Sequence, residues 1–250
     1  MVTDYKSLNN RITSMENKVY SLKKTARLAG LLYLIGGIMA AYGMMYAPYQ
    51  TTVQEDSFAT AQKILNNEFL FRAKIVSNLT GAILFVILVF VLYRLFKNVN
   101  EHKAKLMVTF LILQVPITFL LETFKITALM LLKGEIMKSL DPAQAQDMAM
   151  LFIKTHHYGL IILEIFWGLW LIPFGQLVYK SGFIPRILGI FLIMGGIAYI
   201  IESFTTLLFP GYRAFVSQFA FVFYGLGELS IILWLLIKGV KNNIPTIDKQ

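Results

Sequence analysis

The residues most capable of chemistry in this sequence are ionisable side chains set inside long apolar stretches. Gln114, Thr118, Glu122 and Lys125 are spaced by four, four and three residues, which places them on one face of an α-helix. Charged groups at membrane depth usually face a bundle interior or a wet cavity, because lipid does not solvate them. The candidate ligand-binding or cavity residues are therefore Glu122, Lys125, Glu164, Glu202, His156, His157, Arg72, Asn78, Glu228 and Trp167.

The stretches that carry these groups are long enough to cross a membrane. Of 250 residues, 57% are apolar and 15% are charged, whereas a soluble domain carries about 25% charged residues. A hydrocarbon core of about 30 Å needs roughly 20 helical residues, and only helices satisfy the backbone there in a chain of this pattern. The sequence predicts an all-α, six-helix transmembrane bundle with spans at 26–47, 71–96, 104–132, 152–179, 184–209 and 214–237.

The distribution of Lys and Arg predicts the orientation of the bundle. With both termini inside, the inner segments hold fifteen basic residues and the outer segments hold seven. This bias is the positive-inside pattern of a multi-pass protein of the cell inner membrane. The net charge of +9 is thus explained by topology and by attraction to membrane lipids, so nucleic acid is not an expected partner.

The predicted depth of the polar groups is asymmetric. Glu122, Lys125, Glu164 and Glu202 map to the outer half of the bundle, Glu228 maps nearer the midplane, and the inner halves are almost wholly apolar. We expect an outward-facing polar cavity between spans three, four and five. Glu122 and Lys125 should pair at i,i+3. The expected basic partners of Glu164 and Glu202 are Arg72, Lys74 and Arg213.

The chain divides into a segment at 1–24, a six-span domain at 25–240 and a C-terminal tail at 241–250 that is expected to be disordered. The first segment carries an apolar seam with alternating spacings of three and four residues, made by Tyr5, Leu8, Ile12, Met15, Val19 and Leu22. Two interpretations remain open: an amphipathic helix in the inner headgroup plane, or a short coiled coil that makes a homodimer.

Spans one and five share a pattern that suggests an internal repeat. Arg27, Gly30 and the pair Gly36-Gly37 are matched, at one offset, by Arg186, Gly189 and Gly195-Gly196. Both stretches run from inside to outside. The alternatives are a pair of parallel repeats about an axis along the membrane normal, or the chance recurrence of small residues suited to helix packing.

The polar groups are compatible with several functions. The leading hypothesis is a cavity that binds a small molecule or a lipid headgroup. The alternatives are a small proton-coupled transporter, an intramembrane enzyme using Glu164, Glu202 and His157, and a structural role in which the groups pair and lock the bundle. No spacing identifies a catalytic residue, and no cofactor is expected. A metal site is weakly supported, with His157, Glu164 and Glu202 as its candidates, because no H-x-x-x-H pair occurs.

A motif in the second half of the chain resembles a known family. It reads F-W-G-L-W-L-x-P-x-G over 166–175 and G-F-x-P-R-x-L-G over 182–189, with T-A-R-L-A-G-L-L-Y-L-I beginning at Thr25. The stretch from about Thr25 to Lys238 resembles the bacterial multi-pass membrane proteins called domain of unknown function family 4386. The resemblance implies a multi-pass membrane protein of bacterial source. It implies no activity and no catalytic residues.

Overall fold

The computed structural model describes residues 2–46, 50–51 and 56–241, with side chains described from residue 20 onward except at residue 45. Those parts of the chain are helical, without strands. The α-helices are α1 (Val2–Ala41), α2 (Ser57–Asn66), α3 (Glu68–Phe96), α4 (Glu101–Leu132), α5 (Pro142–Lys180), α6 (Arg186–Leu208) and α7 (Arg213–Ile237). A π-helical turn, Tyr42–Tyr46, extends α1, and a 3-10 turn, Pro210–Tyr212, precedes α7.

Six stretches are long and apolar enough to cross a membrane, which confirms the predicted bundle. They are Tyr20–Met44, Glu68–Phe96, Glu101–Leu132, Pro142–Lys180, Arg186–Leu208 and Pro210–Ile237. Pro116 and Pro173 lie inside α4 and α5, which continue through them as single helices.

The largest differences from the prediction are an early helix start and an additional helix, because hydropathy does not detect polar helix starts. Helix α5 begins at Pro142 rather than at 152, since Asp141 accepts a hydrogen bond from the Gln144 backbone N–H at 2.9 Å and forms a capping box. Helix α2, in the segment before α3, was not predicted at all. Its start is fixed by Asp56, whose side chain accepts from the Ala59 N–H at 2.8 Å.

The six spanning helices form a closed ring. Each packs against the next along the chain, and α7 packs back against α1. We call the end of the ring that carries Lys97 and Ile237 the terminal end, and the end that carries α2 and Gly134 the distal end. The terminal end is predicted to be the inner one. That both termini lie on the inner side of the membrane remains a prediction.

Aromatic side chains fill the ring towards the terminal end, which matches the apolar inner half seen in the sequence. The ring of Trp170 lies 5.8 Å from that of Tyr33 and 5.6 Å from that of Phe174, centroid to centroid. Phe96 continues the stack at 5.8 Å from Phe174 and 5.7 Å from Phe183. All five are nearly or fully buried, so this end of the interior is closed by packed side chains.

Glycines bring α5 and α6 into backbone contact at two levels. A Cβ atom on Gly175 would lie 2.6 Å from the Gly189 carbonyl oxygen, and one on Gly189 would lie 2.6 Å from the Gly175 oxygen. The second level lies seven residues further from the hairpin on each helix. There, a Cβ on Gly196 would lie 2.8 Å from the oxygen of Gly168. The hairpin between the helices turns at Gly182, whose φ of +71° favours glycine. Pro185 stands at the N-cap of α6.

The glycines of the suggested repeat have equivalent positions in the ring. Gly30 lies against the backbone of α7, and Gly189 against that of α5; in both cases this is the preceding helix of the ring. Gly36 contacts Phe85 of α3, and Gly195 contacts Tyr224 of α7; in both cases this is the following helix. This equivalence favours parallel repeats over chance recurrence.

The N-terminal segment is helical and runs without interruption into the first span as α1. The side chains of the seam from Tyr5 to Val19 lie outside the described residues, as does the tail beyond Lys241. The interfacial helix, the homodimer and the disordered tail therefore stay predictions.

Candidate functional site

A cavity of about 140 Å³ lies in the interior of the ring. All six spanning helices contribute to its wall, from Ala40 on α1 to Glu228 on α7. The polar and aromatic members of its lining are Asn78, Phe85, Gln114, Thr118, Glu122, Trp167, Trp170, Tyr199 and Glu228.

Glu122 is the centre of a buried hydrogen-bond cluster on this cavity. Its Oε1 atom accepts from Asn78 Nδ2 at 2.8 Å, from Lys125 Nζ at 2.9 Å and from His156 Nε2 at 3.3 Å. The predicted pairing of Glu122 with Lys125 is thereby confirmed, with the carboxylate 1% exposed and the lysine 2% exposed. The cluster draws on α3, α4 and α5, whereas the cavity is lined by all six spanning helices and not by spans three, four and five alone.

Three buried oxygens on the cavity have no hydrogen-bond partner among the described residues. They are Glu122 Oε2, Asn78 Oδ1 and Gln114 Oε1. Buried polar atoms in folded proteins are nearly always partnered, and an unpartnered one costs about 1–3 kcal/mol. The three residues that carry these acceptors line the cavity on α3 and α4.

The π-helical turn of α1 contributes to this arrangement. A Cβ on Gly43, within that turn, would overlap the side-chain oxygen of Asn78. The absence of a side chain at Gly43 thus lets α1 approach α3 at the level of the cluster. Single π-turns are frequent at functional sites, and the glycine in this one was not recognised in the sequence.

Glu228 is held by two tyrosines rather than by a base. Tyr33 donates to its Oε2 at 2.7 Å, and Tyr199 donates to its Oε1 at 2.9 Å. The Tyr199 ring meets Trp167 edge-on at 5.6 Å and stacks on Tyr224 at 4.2 Å. Within the described part of the chain, Glu228 makes no ion pair. The contribution of Tyr33 was missed because it lies 195 residues from its partner.

A second polar group lies between α5, α6 and α7. Glu164 Oε2 is buried without a hydrogen-bond partner in the described chain, and Glu202 is 9% exposed. Arg213 donates to His157 Nε2 at 2.8 Å. Neither Glu164, Glu202 nor His157 belongs to the wall of the central cavity.

The predicted basic partners of Glu164 and Glu202 are wrong for the described residues. Arg72 pairs instead with Glu68 at 2.7 Å, one turn earlier on the same exposed helix end. Lys74 lies over the Phe71 ring at 5.7 Å. Arg213 donates to His157 instead. Among the described residues, no ion pair joins Arg72, Lys74 or Arg213 to Glu164 or Glu202.

The described residues offer no set of ligands for the metal site whose candidates were His157, Glu164 and Glu202. In the part of the chain that the structure describes, no three His, Asp or Glu side chains come close enough to hold a metal ion. His156 points to Glu122 in the interior, whereas the adjacent His157 is exposed and meets Arg213. Adjacent helical residues diverge by about 100°, which explains why the two histidines serve different places.

The fold, with its six long apolar helices, defines a multi-pass α-helical membrane protein. The chain belongs to the family described as a domain of unknown function (DUF4386), whose model matches residues 28–239. An uncharacterised protein of Archaeoglobus fulgidus is 38% identical over 88 residues, which is 35% of this chain and 51% of that protein. The chain thus matches about half the length of that relative. No solved structure matches the chain.

The motif that carried the family resemblance has a structural explanation. Its glycines, Gly168, Gly175, Gly182 and Gly189, are the contact points and the turn of the α5–α6 hairpin. Its two tryptophans, Trp167 and Trp170, line the cavity. The motif therefore combines close helix packing with one wall of the candidate site.

Proposed function

We propose that this protein binds a small molecule or a lipid headgroup in the central cavity, reached from the outer side of the cell inner membrane. The observation that carries the proposal is the set of three unpartnered oxygens on one cavity wall. A purely structural interior would leave few buried acceptors unsatisfied, and three of them belong to residues that line this one cavity. A bound ligand would satisfy them.

The volume limits the ligand. An apolar cavity of about 150 Å³ accommodates benzene, so a space of about 140 Å³ suits a molecule with one ring or a compact headgroup. The aromatic walls Trp167 and Trp170 would contact its apolar part. The acceptor oxygens of Glu122 and Gln114 would fix its orientation, as polar groups do in ligand pockets.

The other functions have less support. A transporter needs a path through the terminal end, and that end is closed by the packed rings of Tyr33, Trp170, Phe174 and Phe96. An intramembrane enzyme using Glu164, Glu202 and His157 would need these groups around a common substrate space, and none of them lines the cavity.

Filling the cavity tests the proposal. Val115 lines it, so Val115→Phe should remove the space that a ligand occupies. We expect saturable binding of at least one one-ring probe (benzylamine, benzyl alcohol or benzoate) to the protein in detergent micelles. Binding would be followed by the change in tryptophan fluorescence, since Trp167 and Trp170 line the cavity. The variant should weaken that binding by about tenfold or more, equal to about 1.4 kcal/mol.

The matched control is Leu113→Phe, two residues away on the same helix, where the leucine is exposed on the outside of the ring. This variant should bind the probes as the wild type does. If no probe binds saturably, or if Val115→Phe binds as tightly as Leu113→Phe, the proposed function is wrong.

The orientation can be tested because the sequence contains no cysteine. A Cys at Lys138, in the exposed loop between α4 and α5, should react with an impermeant maleimide added outside intact cells. A Cys at Asn98, in the loop between α3 and α4, should react only after the membrane is opened. The reverse labelling pattern would place the termini outside.

A further inference from the structure

We infer that the ligand of the central cavity is a small organic ammonium ion, an amine that carries one ring or a comparable apolar group. This inference rests on the proposed function and names its ligand class. It follows from the acidic residues of the cavity wall, from the fact that the unpartnered polar atoms of the lining residues are acceptors, and from the aromatic surface of the wall.

The charged residues among those that line the cavity are all acidic. Glu122 and Glu228 line it, and none of the described lining residues is Lys, Arg or His. An anion entering this space would meet carboxylates and no base within the wall. A cation would meet opposite charge in a medium where electrostatic attraction is poorly screened.

The free hydrogen-bonding atoms are acceptors. Glu122, Asn78 and Gln114 are 1%, 7% and 7% exposed, and each has a buried side-chain oxygen without a partner in the described chain. An ammonium group presents only N–H donors, as lysine does. Hydrogen bonds between an ionised donor and such acceptors are roughly twice as strong as neutral ones.

The basic groups near Glu122 do not reverse this argument. Lys125 and His156 both approach Oε1, and neither lines the cavity. The other oxygen, Oε2, stays without a partner among the described residues. Lys125 offsets the charge of Glu122, so Glu228 is the wall carboxylate that has no basic partner among the described residues.

Glu228 is the carboxylate on the wall that a bound cation would pair with and keep ionised. Its two hydrogen bonds come from Tyr33 and Tyr199, which are neutral donors. An ionised carboxylate at membrane depth requires a compensating charge. Trp167 and Tyr199 contact each other at 5.6 Å and line the cavity beside Glu228, with Trp170 and Phe85. Aromatic faces of this kind bind ammonium ions by cation–π attraction, and Trp is the most effective.

The test compares three probes of one shape and different charge. Benzylamine is a cation at pH 7, benzyl alcohol is neutral and benzoate is an anion. We expect the wild-type protein in neutral detergent to bind benzylamine at least about tenfold more tightly than benzyl alcohol, from the excess strength of a charged donor. We expect benzoate to bind more weakly than either.

Glu228→Gln keeps the shape of the side chain and removes its charge. It should weaken benzylamine about tenfold and leave benzyl alcohol within about threefold, so that most of the selectivity disappears. Glu164→Gln is the matched control, because it removes a membrane-embedded carboxylate that does not line the cavity. This control should keep the wild-type selectivity. If Glu228→Gln does not fold, Trp167→Leu should likewise reduce the preference for benzylamine.

The outcomes separate this inference from the proposed function. Equal binding of benzylamine and benzyl alcohol, both abolished by Val115→Phe, would overturn the ammonium inference and leave small-molecule binding in place. Tighter binding of benzoate would overturn it in the same way. Selectivity for benzylamine that Glu228→Gln and Trp167→Leu both leave unchanged would show that the cation is bound elsewhere. Absence of binding by all three probes would overturn the proposed function itself.

Discussion

Lys125→Met is expected to lower the free energy of unfolding by about 3–5 kcal/mol, the cost of breaking a buried ion pair by removing one partner. The side chains of Lys125 and Glu122 are 3% and 2% exposed and lie 2.9 Å apart. Methionine fills a similar space without the charge, so the loss comes from the carboxylate left behind. Chemical unfolding of the purified protein in mixed micelles would measure the change.

The partner variant identifies the cause. Glu122→Gln combined with Lys125→Met removes both charges and should recover most of the lost stability, because the cost of a lone buried charge disappears. Lys105→Met is the control on the same helix, since Lys105 pairs with Glu101 at 3.0 Å with both side chains more than half exposed. An exposed pair contributes about 0–1 kcal/mol. A Lys125→Met protein as stable as Lys105→Met would contradict a charged pair at this site.

The sequence was sufficient for the spans because hydropathy and helical spacing are local properties. The spacing of Glu122 and Lys125 on one helix predicted their ion pair for the same reason. Contacts between helices were harder. Asn78 and His156 reach Glu122 from α3 and α5, and their convergence depends on the order of helices in the ring and on the rotation of each.

The wrong assignments share this origin. Arg72 was expected to reach Glu164 or Glu202 across the bundle, but Glu68 lies one turn away on the same helix and is the nearer partner. Arg213 was expected to neutralise a carboxylate, and His157 lies closer to it. Depth along a span can be estimated from the sequence, whereas the facing of a side chain within a closed ring cannot.

The position of the cavity follows from the packing of the ring. Towards the terminal end, large rings such as Trp170 and Phe174 fill the interior. Towards the distal end, the lining includes the small residues Ala40, Gly81 and Ala82, which leave the space unfilled. Large apolar side chains on the terminal side and small and polar ones on the distal side thus leave the cavity where it is. The same asymmetry appears in the sequence, where the polar residues of the spans are concentrated in one half of the bundle.

The close approach of α5 and α6 also determines the site, because these helices carry Trp167 and Tyr199. Gly175→Ala is expected to lower the free energy of unfolding by about 1–3 kcal/mol through overpacking. The new Cβ would lie 2.6 Å from the Gly189 carbonyl oxygen and 3.0 Å from the Ile193 backbone nitrogen. Both are backbone atoms, so the helices themselves would have to separate.

Gly37→Ala is the matched control, because a Cβ at Gly37 in α1 has no described atom within 4 Å outside its own helix. Alanine is favoured over glycine in a helix interior by about 0.5–1 kcal/mol. Substitution by alanine should therefore stabilise the protein or leave its stability unchanged at Gly37, and should destabilise it at Gly175. Thermal unfolding of the two variants in one detergent would compare their stabilities. Gly189→Ala should act like Gly175→Ala, since the contact is reciprocal. If all three variants were equally stable, α5 and α6 would not be in backbone contact, and the aromatic wall that they position would lose its structural basis.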